Sequence, residues 1–192
     1  MREALNKWPR TSAITLRDLD FGPTDEMPKL RPDIGNAVFY LYRIDPKTGE
    51  RTGPHGSGFI VGRKSAVLQN FNHYYGITNW HLANDLGASI IRINTDDGKS
   101  RYLDYAPDDW LFQKDGDDLS IIDLTENAHR GDQVAHYTDT GFIDPTVIKT
   151  FDVALGEDVF MTGLFADQPG GERNTPAARF GNVALLADEK AP

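Results

Sequence analysis

The sequence predicts an all-β protein, a sandwich or barrel of short strands. Two observations carry this. Short runs of β-branched and aromatic residues recur along the chain, and turn residues (Gly, Pro, Asn, Asp) interrupt them at frequent intervals. The chain has 192 residues, enough for one large domain or two small ones, and 39% of them are hydrophobic, enough to fill a real core.

Residues 1–34 are polar and broken by Pro9, Pro23, Pro28 and Pro32, so they read as an N-terminal arm, packed across the body or mobile. The first strand is expected over residues 37–42, which are β-branched and aromatic, and residues 45–49 have turn chemistry. Strands follow over 58–61, 66–69 and 75–78. A short helix is expected from Trp80 to Leu86 with Gly87 as its terminator. Residues 89–93 alternate as a strand does, and Asp97-Gly98 is a hairpin turn. Residues 110–112 and 119–124 complete this group.

A second group starts near Gln133. Asp144 is placed to cap a brief helical turn opened by Pro145. Residues 157–163 and 178–186 read as strands, joined through a loop tip at residues 169–174. These strands are too few to close a barrel; if the group ends at Pro192, it leaves sheet edges unpaired.

The formal net charge of -9 argues against a nucleic-acid partner, because backbone phosphates select a basic face. Asp96, Asp97, Asp104, Asp108, Asp109, Asp115, Asp117 and Asp118 concentrate acidity mid-chain, as solvated loops or as a preference for cationic partners. The absence of cysteine excludes a disulfide-stapled secreted protease and a cysteine nucleophile. The N-terminus lacks the apolar core of a secretory signal, and no apolar run approaches the roughly 18 residues a bilayer requires. A cytoplasmic location is expected, or a periplasmic one if a leader has been removed, with no membrane partner. The histidines have no recognised zinc spacing, so neither a metal nor a cofactor is expected.

The chemistry rests on two residues. His81 ends the apolar stretch I-T-N-W-H, and Asp118 opens D-L-S-I-I. An imidazole titrating near neutrality suits a general base, and a carboxylate on its other nitrogen fixes the tautomer. Asp117 is the rival for the second role; Asp118 is preferred because Leu119 and Ile121 alternate with it in register. Ser57 lies in G-S-G but precedes the histidine and leads into a strand, so it reads as structural.

These residues and their neighbours resemble the bacterial trypsin-like serine peptidases, from about residue 36 to residue 186. Gly56-Ser57-Gly58-Phe59-Ile60-Val61 is similar to the family's early G-[ST]-G-F strand. Ile77-Thr78-Asn79-Trp80-His81 is similar to its T-x-x-H strand end, with Trp80 where a small residue is usual. Asp118-Leu119-Ser120 is similar to its D-[LIV]-[AS] strand. Residues 156–163 resemble the G-x-x-V-x-x-x-G segment opening the second barrel, and residues 179–183 the strand before the nucleophile turn. The resemblance implies a chymotrypsin-like double β-barrel. The first barrel would be complete over residues 35–128 and carry His81 and Asp118; the first part of the second would span 129–192. It implies a serine endopeptidase acting on peptide or protein substrates, with His81 as base and Asp118 as its orienting partner.

One departure stands out. No G-x-S-G turn follows Asp118, and the last serine is Ser120. The expectation is therefore an N-terminal portion of a peptidase, inactive alone because its nucleophile is absent. The alternative is a non-catalytic module that binds a peptide or protein across its open second-barrel edge. Substrate specificity and oligomeric state are not written in the sequence.

Overall fold

The computed structural model describes residues 13–14, 32–114, 116–127, 132, 135–138, 141–165 and 168–184. It is an all-β structure. Strands β1 (Ala13–Ile14), β2 (Val38–Ile44), β3 (Arg51–Lys64), β4 (Asn72–Thr78), β5 (Ile90–Asn94), β6 (Ser100–Leu103), β7 (Leu111–Phe112), β8 (Ser120–Asp123) and β9 (His136–Thr138) form the main sheet. Strands β10 (Asp158–Gly163) and β11 (Ala177–Asn182) form a separate two-stranded ribbon. Short 3₁₀ turns lie at Pro32–Ala37 and Pro107–Asp109, a one-turn π-helix at His81–Asp85, and the helix α1 at Pro145–Thr150.

Seven strands run antiparallel in the order β6-β5-β2-β3-β4-β8-β7. β2 is central, and its burial follows from its sequence. Val38, Phe39, Tyr40, Leu41 and Tyr42 are all buried, so both faces of the strand are covered. Phe39 and Leu41 enter one apolar cluster with Ile60, Tyr74, Ile91, Leu103, Trp110 and Ile122. Val38, Tyr40 and Tyr42 enter another with Ile90, and Leu164 packs against it. Each such large side chain contributes roughly 1.5–3 kcal/mol by leaving water.

The sheet curls around the first cluster. Trp110, at the start of β7, lies four strands from β2 along the ladder, which in a flat sheet is about 19 Å. Its ring is 6.4 Å from that of Phe39, and its indole N–H donates to the Ser89 carbonyl at 3.3 Å, beside β5. Among the described residues no ladder joins β6 to β7, so the path remains open.

Several local expectations meet their structure directly. Gly49 (φ +72°) and Gly87 (φ +72°) occupy the left-handed region at the two expected chain reversals. The Asp45 carboxylate accepts the Lys47 N–H at 2.7 Å in the first of them. Asp144 caps α1 by accepting the Val147 N–H at 2.8 Å.

Others are corrected. Residues 66–69 are not a strand: they lie in the β3–β4 connection, where the Ser65 hydroxyl accepts the N–H groups of Val67 and Leu68 and Val67 is 87% exposed. Tyr74 is buried in the core. The parallel strand β9 was not legible; it pairs Tyr137 with Val61 and His136 with Ala13. Apart from Ala13 and Ile14 and the 3₁₀ turn, the N-terminal arm lies outside the described residues, as do Asp115, His129 and the end of the expected strand over 178–186.

A buried polar latch ties the 171–174 loop to β5. Arg92, 4% exposed, donates to the Tyr42 hydroxyl (2.7 Å), the Ser100 hydroxyl (2.9 Å) and the Gly171 carbonyl (2.8 Å). Asn174 donates through its side chain to the Arg92 carbonyl (2.7 Å) and exchanges hydrogen bonds with the Asn94 side chain through its backbone. Most of these buried groups find partners, as the interior requires; the Asn174 side-chain oxygen has none among the described residues.

Candidate active site

His81 and Asp118 meet at one end of the β4–β8 pair. The ladder ends with Thr78 opposite Ser120, and both side chains are buried there. Thr78 donates its hydroxyl to the Ser57 carbonyl at 3.1 Å, which fixes the end of β4 against β3. Beyond Thr78 the chain turns at once: the Asn79 carbonyl accepts the N–H groups of Leu82 and Ala83, each at 3.2 Å, and the buried Ala83 anchors the turn in the core. Asn84 pins the other side, bonding to the Ser120 hydroxyl and donating to the Pro107 carbonyl at 2.9 Å. His81 therefore rides on a turn fastened at several points.

The Asp118 carboxylate binds His81 twice. Oδ2 lies 2.5 Å from Nδ1 of the ring, and Oδ1 accepts the backbone N–H at 2.9 Å. The His81 backbone N–H is the chief reason the carboxyl is held below the usual carboxylate range; partial desolvation opposes it, and the His81 ring and the Asn79 amide add to the lowering. An ionised carboxylate only accepts, so Nδ1 carries the ring proton and Nε2 carries the lone pair. Among the described residues Nε2 has no hydrogen-bond partner, and the side chain is 54% exposed. The arrangement can accept a proton at Nε2 and return it.

Asn79, two residues before the histidine, was missed by sequence reasoning. Its amide donates to both the carbonyl and the carboxylate of Asp118, each at 3.2 Å. The available signal was its position just past the strand end. Trp80, next to His81, and Phe112, on β7, are both partly exposed, with ring centroids 5.8 Å apart. Asp117 bonds only through its backbone, accepting the Leu119 N–H, among the contacts described.

The remaining candidates lie elsewhere. Ser57 accepts the Leu164 N–H at 3.1 Å and so joins β3 to the segment after β10. His55 contacts the Thr52 hydroxyl at 3.2 Å, His73 meets Phe71 edge-on and stacks on Tyr75, and His136 is buried against Tyr74. Among the described residues no three His, Cys, Asp or Glu side chains gather as a metal site, and no helix is long and apolar enough to cross a membrane.

No protein-family model, curated protein or solved structure matches the chain.

Proposed function

We propose that this chain carries the base half of a trypsin-like serine endopeptidase, with the first of two chymotrypsin-like barrels supplied by the curled sheet and the second begun by β10 and β11. One observation carries the reading: Asp118 holds Nδ1 of His81 and leaves Nε2 unengaged on a half-exposed ring. In this mechanism Nε2 takes the proton of a serine hydroxyl as the oxygen attacks a peptide carbonyl, and gives it to the departing amine. Asp118 keeps the tautomer and steadies the imidazolium. Side chains alone supply this proton and acyl transfer, so the reaction calls for no cofactor.

The serine and its oxyanion hole would come from sequence beyond residue 192, in a G-x-S-G turn. The 192 residues alone would then hydrolyse peptides slower by about 10⁴-fold or more than a chain with the complete triad. The test is hydrolysis of a peptide or ester by a protein that continues through such a turn. Activity lost on His81→Ala supports the reading; equal activity in that variant rejects it.

A second reading is favoured by the ribbon. β10 and β11 pair only with one another among the described residues and expose Val159, Met161 and Phe180. A two-stranded ribbon is marginal alone, and its free edges suit a peptide added as a third strand. A coding sequence that lacks the nucleophile turn, with peptide-dependent protection of β10 and β11 amides from exchange, would favour this reading.

A further inference from the structure

We propose that Asn79 is a positioning residue for the dyad, acting on His81 through Asp118. The inference rests on the peptidase reading for its catalytic consequence and on geometry for everything else.

A carboxylate on a loop can rotate about two side-chain bonds, and a half-exposed one is free to do so unless its oxygens are held. Asp118 is 46% exposed, and Asp117 and Leu119 on either side of it share a tight backbone turn. Oδ1 is fixed by the His81 backbone N–H. Oδ2 is the oxygen that faces the ring, and the Asn79 amide nitrogen is the second group bonded to it, at 3.2 Å. The same nitrogen also binds the Asp118 carbonyl at 3.2 Å. One amide thus grips both the side chain and the backbone of Asp118. The Asn79 carbonyl meanwhile starts the turn that carries His81. Asn79 is the joint between the two halves of the dyad: its backbone sets one partner and its side chain sets the other.

The chemistry of this joint is specific. Three donors converge on the carboxylate, from Nδ1–H, Asn79 and the His81 backbone; together they favour its ionised form, and an ionised partner selects the Nδ1–H tautomer. A free imidazole has no such bias toward Nδ1.

The experiment reads the ring nitrogens of His81 by ¹⁵N NMR in the 192-residue chain, above the titration of the ring, for Asn79→Leu and Asn79→Asp. Asn79→Leu removes the donor with little change of shape. The expected result is a rise of about twofold or more in the Nε2–H tautomer, with a higher titration midpoint for Asp118. Asn79→Asp sets a second carboxylate beside Oδ2, and it should raise the midpoint of Asp118. Unchanged tautomer and unchanged midpoints in Asn79→Leu overturn the proposal. If Asn79→Leu disturbs amides across the sheet, Asn79→Ala, which removes the donor without adding bulk or charge, decides by the same readouts: a change supports the role and no change overturns it.

The peptidase reading fails separately. A chain completed with its nucleophile turn that hydrolyses nothing, while Asn79→Leu still moves Asp118, removes the reading and leaves the positioning role standing. Hydrolysis that depends on His81, with no response to Asn79→Leu, does the reverse.

Discussion

His81 and Asp118 are joined at two points at once, ring nitrogen to Oδ2 and backbone N–H to Oδ1. A single hydrogen bond would let the ring pivot; two from one carboxylate hold the ring and its own backbone in a fixed relation.

Asp118→Asn tests that relation. The pair needs two acceptor oxygens and an amide supplies one. The backbone N–H of His81 takes it, so the amide NH₂ faces Nδ1, which must become the acceptor. The ring proton then moves to Nε2 and the base is lost. The expected outcome is an Nε2–H tautomer in ¹⁵N spectra and, in a chain completed with a serine, a rate lower by about 10⁴-fold.

Ser57 and Gly58 are expected to act on stability and not on the dyad. Ser57→Ala removes the acceptor for the Leu164 N–H and should cost about 1 kcal/mol in denaturant unfolding, with the His81 ring spectrum unchanged. Gly58→Ala should cost more, about 3 kcal/mol, because a Cβ there would lie 2.3 Å from the Phe39 ring and 2.4 Å from the Ile77 carbonyl, and neither can withdraw. A change in the His81 ring spectrum on Ser57→Ala would contradict the structural role.

His136 makes stability depend on pH. Burial pushes its imidazole below the ordinary value of 6.5, and its Nδ1 has no hydrogen-bond partner among the described residues. The unfolded chain therefore binds a proton near pH 6.5 that the folded chain refuses, so this contribution is whole above 6.5 and is lost as pH falls toward the folded value. Urea midpoints at pH 7.5 and 5.5 should fall in that direction. His136→Phe should flatten the slope in part, since His55 is also lowered, chiefly by burial with Arg43 adding to it, and acts with the same sign.

Arg101 and Asp132 form a two-pronged ion pair, at 2.7 Å and 2.6 Å, with the carboxylate almost fully buried. Arg101→Ala strips the guanidinium from a buried charge and should destabilise by about 3 kcal/mol. The pair replaced together by Met and Leu should lose less, because no buried charge is left behind. Equal losses in the two proteins would refute this account.

The sequence by itself determined the all-β class, most strands of the main sheet, the reversals at Gly49 and Gly87, and the two side chains, His81 and Asp118, that the fold brings together. Those features are local: period-two patterning, β-branched content and left-handed glycines act within a few residues. Tertiary structure decided what neighbours decide. Residues 66–69 are apolar enough for a strand but pair with no strand among the described residues, and the Ser65 hydroxyl takes the amides of Val67 and Leu68 instead. Three-residue β9 is too short to show a period and exists because β3 offers an edge to it. Asn79 looks like any polar residue after a strand until the β4–β8 register brings Asp118 back beside it. Patterning records which side chains avoid water, while the pairing of distant segments settles which polar groups face one another.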